Sequence, residues 1–246
     1  YCMFRREKSL VLTDLPDKIR QVNTCEITNR KEYMDAERDL IMYLQKYKDA
    51  DDDKIAKAMR GEVMVRINIL RQISARGKVR DVIEFVKDFR ENGKKIILFC
   101  SLHEVVDQLK RYFPTAVSVT GRDSQDEKQR AVDAFQNNPK ADIIICSIKA
   151  AGVGLTLTAS SNVAFVEFPW TYADCCQCED RAHRIGQKDS VTCYYFLGRR
   201  TIDEKVYRII QEKKNIANAV TGSTEDIEEN IVDMVARIFD TDYDDE

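Results

Sequence analysis

The segment DRAHRIGQ, residues 180–187, contains two arginines that could bind an anion. Gln177, Arg181 and Arg184 are spaced i, i+4 and i+7, so on a helix their side chains would form one narrow stripe. An arginine side chain grips a phosphate or a carboxylate through two hydrogen bonds. These residue types therefore suit an anionic ligand, although a solvated basic helix face would produce the same pattern without one.

Polar residues and glycines also follow several short apolar runs. They are Ser101, Thr120, Ser147, Lys149, Gly152, Gly154 and Trp170. Gly152 and Gly154 would let the backbone adopt positive φ and approach a phosphate closely, and Ser147 and Lys149 lie just before them. A phosphate contact and an ordinary turn both fit this loop. Trp170, the only tryptophan, fits a core residue as well as a stacking surface.

Eight cysteines raise the question of metal binding. Cys175, Cys176 and Cys178 lie near His183, but the cluster lacks paired C-x-x-C units at the spacing of zinc ligands. We therefore expect packing cysteines and no metal site. The other cysteines are scattered, which is typical of reduced thiols in an intracellular protein.

Composition places the chain among globular proteins. Of its 246 residues, 43% are hydrophobic and 33% charged, and the net charge is −3, so any nucleic-acid site would be a local patch. We see no run long enough to span a bilayer and no signal peptide. The expected location is intracellular, either nuclear or in the cytoplasm with the nucleoid. Because the sequence starts at Tyr1, we expect a fragment of a longer protein.

Two patterns of hydrophobic residues alternate along the chain. Residues 29–92 carry apolar stripes of helical period, with an acidic break at 49–54 and a helix stop at Asn92-Gly93. Nearly continuous apolar runs then predict strands buried on both faces. These runs are residues 95–100, 116–120, 142–148, 162–168 and 191–197. The predicted fold is α/β, a parallel sheet with helices on both faces.

Helix start signals follow these strands. Capping boxes are predicted at Ser101–Glu104, Ser124–Glu127 and Thr201–Glu204. Ligands of open parallel sheets bind beyond the carboxyl ends of the strands. The polar residues named above should therefore meet along one edge of the sheet.

Residues 147–197, which run from SIKAAGVG to TCYYFL, closely resemble motifs V and VI of the SWI/SNF-type ATPases in the superfamily-two helicase-like group. KIILFCS (95–101) resembles motif IV, and residues 4–28 are similar to the passage into the second lobe of that family. The match runs from about residue 4 to 215. Its AAGVGLTLTA (150–159) most resembles the annealing-helicase (HARP-like) branch.

The resemblance implies the second RecA-like lobe, of the P-loop NTPase type, of a motor that moves along or remodels double-stranded or branched DNA. Arg181 and Arg184 match the motif VI arginines, which would reach the γ-phosphate of ATP bound between two lobes. Gln177, Gly152 and Gly154 would lie at the nucleotide.

The resemblance also implies DNA contacts and a missing partner. The residues that match the DNA side of the family are Ser101, Thr120, Ser147, Lys149 and Trp170. No G-x-x-x-x-G-K-[ST] and no D-E-x-H run occurs in the sequence, so the N-terminal lobe would hold Mg²⁺ and the β-phosphate. We therefore expect half an enzyme, inactive by itself.

Two departures from the family pattern are small, and two alternatives stay open. Ala151 replaces a usual glycine and Cys178 a common alanine.

One alternative function is the lobe of another superfamily-two motor, against which RAHRIGQ argues. The other is a non-catalytic nucleic-acid-binding module, against which the arginine pair argues.

We predict four segments. They are a lead-in from the first lobe (1–28), a helical insertion (29–76), the helicase C-terminal lobe (77–220), and a C-terminal helix with an acidic tail (221–246).

Overall fold

A computed structural model of the chain describes residues 15–48, 53–150, 154–214 and 234–235. The strands are β1 (Lys18–Cys25), β2 (Ile96–Phe99), β3 (Val117–Val119), β4 (Ile143–Cys146), β5 (Asn162–Phe165) and β6 (Val191–Gly198). The helices are α1 (Arg30–Lys48), α2 (Asp53–Glu91), α3 (His103–Tyr112), α4 (Gln125–Asn137), α5 (Tyr172–Glu179) and α6 (Ile202–Lys214). Among the described residues, none of these helices could cross a membrane.

The sheet has six strands in the order β1-β6-β5-β2-β4-β3. The strands from β2 to β6 pair in parallel, with Ile97 opposite Ile144 on one side and Val163 on the other. All four residues of both β2 and β4 are fully buried, as continuous apolar runs require. All five predicted strands are confirmed.

Strand β1 was not predicted from the sequence. Its residues, KIRQVNTC, are mostly polar and alternate between exposed and partly buried. It occupies one edge of the sheet beside β6, so only one of its sides needs a partner strand. An edge strand with a solvent-exposed face contains too few apolar residues to be recognised from its sequence pattern.

Helix α2 joins two predicted apolar stripes into one helix of 39 residues. It ends where predicted, because Gly93 adopts a φ of 65°, which favours glycine. The acidic run at 49–54 lies mostly outside the described residues. Helix α2 continues through residues 76 and 77, where we predicted the end of an insertion, and the four-segment division stays a prediction.

The chain divides into two compact units. One comprises residues 1–23, 83–166 and 173–195, and the other residues 24–82, 167–172 and 196–246. Strands β2 to β5 lie entirely in the first unit.

The three predicted capping boxes have different outcomes. Ser124 and Glu127 form both reciprocal hydrogen bonds of a capping box, which confirms that prediction. The box at Ser101 is wrong, because the N-cap of α3 is Leu102, which makes no side-chain cap hydrogen bond. At Thr201 the cap is partial: its hydroxyl accepts from the amide of Asp203 at 3.2 Å, whereas Glu204 accepts from Arg200.

Replacing each of two glycines of α2 with alanine should change the stability of the protein in opposite directions. A Cβ on Gly77 would lie 2.7 Å from the Cβ of Ile27, and a Cβ on Gly61 would meet nothing within 4 Å. Gly77→Ala should therefore lower the free energy of unfolding by about 1–3 kcal/mol. Gly61→Ala should raise it by about 0.5–1 kcal/mol, because alanine favours helix. Urea unfolding of both variants tests this, and equal effects of the two would contradict it.

Candidate functional site

The segment that carries the arginine pair is a series of turns. Helix α5 ends at Glu179, so the helical stripe expected for Gln177, Arg181 and Arg184 is wrong. The amides of Arg181 and Ala182 bond three residues back, at 3.1 Å each, and this tightened turn replaces the helical pattern. Gln177 stays on α5 and is exposed.

Arg181 is the buried member of the pair, with 8% of its surface exposed. Its Nε is buried and has no hydrogen-bond partner in the described part of the chain. Burial, together with the positive charge of Arg184, lowers the pKa of Arg181 from its ordinary value. A guanidinium nevertheless stays charged in proteins. An unsatisfied buried donor is costly, so this group is suited to an anionic acceptor.

Arg184 is half-buried and bonded to the loop before β5. Its Nη1 donates to the carbonyl oxygens of Gly154 and Leu155 at 3.1 Å each and to the hydroxyl of Thr156 at 3.0 Å. Gly154 has a φ of 73°, a conformation that other residues rarely adopt. The structure therefore brings Arg184 and Gly154 together, as expected for one site. Gly152 lies outside the described residues.

Gln187, the last residue of DRAHRIGQ, is buried and was missed as a structural residue. Its Nε2 donates to the carbonyl oxygens of Ser160 at 3.0 Å and Ala182 at 3.2 Å. Its Oε1 accepts from the amides of Lys188 and Asp189. This side chain fixes the end of the arginine segment. Nothing in the local spacing predicts it, because Ser160 is 27 residues away.

Glu179 is the centre of a cluster of charges that sequence reasoning also missed. Its side chain is fully buried, and it accepts from Lys18 Nζ at 3.0 Å and from Arg20 at 2.8 and 2.7 Å. The hydroxyl of Tyr195 donates to the same carboxylate. Burial alone would raise the pKa of Glu179, but the hydrogen bond from Arg20 and the charge of Lys18 hold it below its ordinary value.

The predicted DNA-side residues of the sheet follow three neighbouring strands. The amide of Ser147 donates to Val119 at 3.0 Å, and that of Cys100 donates to Cys146 at 3.1 Å. Ser101, Thr120 and Ser147 therefore lie along the carboxyl edge of the sheet, as predicted.

These edge residues differ in their availability to a ligand. Ser101 and Lys149 are exposed. Thr120 is buried, and its hydroxyl donates to Asp123 at 2.8 Å and accepts from Arg122. The Ser147 hydroxyl accepts from Ala150 at 3.2 Å. Lys149 therefore presents the most accessible charge of the set.

Trp170 belongs to the second unit and is half-buried. The guanidinium of Arg71 lies 3.7 Å from the centre of its ring, and Arg71 also donates to the carbonyl of Phe168. One face of the indole is therefore covered by an arginine of α2. Its DNA contact stays a prediction.

The cysteines near the arginine pair are largely buried. Cys175 and Cys178 are each 1% exposed, and burial raises the pKa of both thiols, which disfavours the thiolate that metals bind. Among the described residues, no group of three His, Cys, Asp or Glu side chains is arranged to hold a metal ion. The packing role of this cluster stays a prediction.

Known proteins match this chain both in sequence and in structure. The helicase conserved C-terminal domain matches residues 77–186. The chain is 31% identical over 232 residues to human DNA annealing helicase and endonuclease ZRANB3, covering 90% of this chain and 20% of that protein. It is 30% identical over 218 residues to the SWI/SNF-related matrix-associated actin-dependent regulator of chromatin subfamily A-like protein 1 of Xenopus tropicalis, covering 86% and 22%.

Residues 77–186 carry the helicase conserved C-terminal domain, and the chain is similar to SWI/SNF-type and annealing helicases. The resemblance to annealing helicases is confirmed, and the chain spans about a fifth of the length of these relatives.

Solved structures show the fold of this chain. The C-terminal part of the Fun30 ATPase domain matches with a TM-score of 0.71 at 15% identity, over 92% of this chain and 99% of that one. The Sulfolobus solfataricus SWI2/SNF2 ATPase core in complex with dsDNA matches with a TM-score of 0.66 at 22% identity, over 85% and 47%. The predicted RecA-like parallel sheet with helices is confirmed.

Proposed function

We propose that this lobe works in an ATP-driven motor that moves along or remodels double-stranded or branched DNA. The observation that carries the proposal is Arg181, a buried cation whose Nε has no hydrogen-bond partner among the residues that the structure describes, in the same turn segment as Arg184. Two relatives support it by their names, a DNA annealing helicase and a SWI/SNF-related regulator of chromatin. Such a motor would act where chromosomal DNA is, in a nucleus or a nucleoid.

In this proposal Arg181 and Arg184 contact the γ-phosphate of ATP. Negative charge develops on the phosphoryl oxygens during hydrolysis, and a guanidinium placed there stabilises the transition state. Arg184 is preorganised for this, because its Nη1 is held by the Gly154 loop. Gln177 and the loop of Gly152 and Gly154 would border the nucleotide.

The proposal needs a second lobe to complete the hydrolytic site. The sequence contains no phosphate-binding loop and no acid box, which in such motors hold the β-phosphate and Mg²⁺. We therefore propose the N-terminal RecA-like lobe as a partner that supplies both. The present lobe would contribute the two guanidiniums from the opposite side of the ATP site.

For DNA we propose contacts along the carboxyl edge of the sheet and at Trp170. Lys149 would meet a backbone phosphate, and Ser101 and Ser147 would add hydrogen bonds to the same strand. Thr120 would act by ordering its turn, since its hydroxyl already bonds Asp123. Contacts of this kind position the protein without reading the base sequence.

Lys149→Ala tests the DNA contact in the complete two-lobe protein. Loss of one phosphate contact should weaken binding about equally for all DNA sequences and reduce the salt slope of log K by about one unit. Lys140→Ala is the matched control, because Lys140 is also exposed but precedes β4 instead of following it. Fluorescence anisotropy over a salt series measures both, and an unchanged slope in Lys149→Ala would contradict the proposed DNA edge.

A further inference from the structure

The edge strand β1 is bound to the arginine segment by several charged contacts, all within one compact unit. Arg20 grips the buried carboxylate of Glu179 through two hydrogen bonds of 2.8 and 2.7 Å. Lys18 bridges Glu179 at 3.0 Å and Asp180 at 2.9 Å. Only a guanidinium can form the two-bonded grip, so Arg20 sets the orientation of Glu179 as well as neutralising it.

Glu179 in turn fixes the start of the turn that holds Arg181. It is the last residue of α5, and its carbonyl accepts from the amides of Ala182 at 3.1 Å and His183 at 3.0 Å. Arg181 therefore lies within the turn that begins at Glu179 and is closed by the amides of Ala182 and His183. A shift of Glu179 would therefore move Arg181 with it.

A further contact ties the same segment to the chain just before β1. The imidazole Nε2 of His183 donates to the carbonyl of Pro16 at 2.7 Å. Residues 16, 18 and 20 thus hold residues 179, 180 and 183. These contacts bracket Arg181 on both sides, and Arg184 follows directly.

We propose that Lys18 and Arg20 are positioning residues for the arginine pair, acting through Glu179. The inference rests on the proposed function and deepens it, because it makes the geometry of hydrolysis depend on the segment that leads into the sheet. A displacement of about 1 Å at a reacting group can cost about 100-fold in rate. A cluster that served folding alone would not affect turnover in this way.

Arg20→Gln in the complete two-lobe protein tests the inference. We expect kcat for ATP hydrolysis to fall by about 10-fold to 100-fold. The KM for ATP and the Kd for double-stranded DNA should stay within about two-fold, because the arginine pair would act mainly in the transition state. Arg90→Gln is the matched control. It removes an ion pair of 2.5 Å to Asp142, next to the amino end of β4, and should leave kcat unchanged.

The decisive measurement repeats Arg20→Gln in an Arg184→Ala background. If Arg20 acts through the arginine pair, it should lower kcat little further there, since residues of one unit are non-additive. An equal fold-loss in both backgrounds, or kcat within two-fold of the parent in Arg20→Gln alone, would overturn the inference while leaving the proposed function standing. If Arg184→Ala itself leaves kcat unchanged, the proposed function fails and the inference fails with it.

A second variant covers the case in which Arg20→Gln does not fold. Arg20→Lys keeps the positive charge beside Glu179 but loses the two-bonded grip. Its kcat should still fall several-fold while its melting temperature stays near that of the parent. Full activity in Arg20→Lys would overturn the inference, because the orientation of Glu179 would then not matter.

Discussion

Replacing Arg184 with alanine in the proposed two-lobe protein should lower kcat for ATP hydrolysis by about 10³-fold or more. The side chain is already fixed by three hydrogen bonds to the loop of Gly154, Leu155 and Thr156. Its charge would therefore stabilise the transition state without further ordering. Binding of ATP and DNA should change far less, because the proposed contact with the γ-phosphate would form mainly in the transition state.

Arg181→Lys should be as damaging as removal of Arg184. Lysine keeps the charge but loses the planar guanidinium and its several donors, and Arg181 is the buried member of the pair. Arg199→Ala serves as the control, since Arg199 is an exposed arginine paired with Glu26 at 3.2 Å. Steady-state assays with and without DNA measure the effect. If either Arg184→Ala or Arg181→Lys keeps kcat within a few-fold of the parent, the assignment of the pair is wrong.

The second prediction with a large effect is the loss of stability expected when Asp203, which lies in the second compact unit, is replaced. Asp203 Oδ2 accepts from Lys78 Nζ at 2.5 Å, from Ser74 at 2.7 Å and from the amide of Gly198 at 3.0 Å. Lys78 is 1% exposed, so Asp203→Ala would leave its ammonium buried without a counter-charge. The free energy of unfolding should fall by about 3–5 kcal/mol.

Two comparisons make the Asp203 result interpretable. Glu62→Ala removes an exposed ion pair with Arg66 and should cost less than about 1 kcal/mol. Replacing both Lys78 with methionine and Asp203 with leucine should recover only part of the loss: no buried charge is then left unpaired, but Ser74 and the amide of Gly198 lose their acceptor. Urea unfolding with a shared m value measures all three. A loss below about 1 kcal/mol in Asp203→Ala would contradict this prediction, because the carbonyl of Phe196, which already accepts from Lys78 at 2.8 Å, would then be enough to hold the buried ammonium.

The sheet was predictable from sequence because its central strands are short, apolar and buried on both faces. The runs IILF of β2 and IIIC of β4 leave few other structures possible. The polar edge strand β1 was not predictable, since its place depends on pairing with β6. The sequence pattern of the single helix α2 shows two separate apolar stripes, which do not predict one continuous helix. Gly77 disfavours a continuous helix by propensity, and only the close approach of Asn29 and Ile27 explains a glycine there.

The candidate site was predictable in composition but not in geometry. The resemblance identified the arginine pair and Gly154, and the structure brings Arg184 and Gly154 into contact. The helical stripe failed because spacing alone cannot show that α5 ends at Glu179. The hydrogen bonds from Arg20 to Glu179 could not be predicted from the sequence, because the two residues are 159 positions apart. Contacts across such separations leave no local pattern.

The most direct test of the account is ATP turnover by this chain alone and by the complete two-lobe protein, each with and without double-stranded DNA. We expect no turnover above background for the chain alone, because its sequence lacks the groups that would hold the β-phosphate and Mg²⁺. The complete protein should show DNA-stimulated turnover that Arg184→Ala abolishes. Turnover by the chain alone that disappears in Arg181→Ala would contradict the claim that this lobe supplies only half of the hydrolytic site.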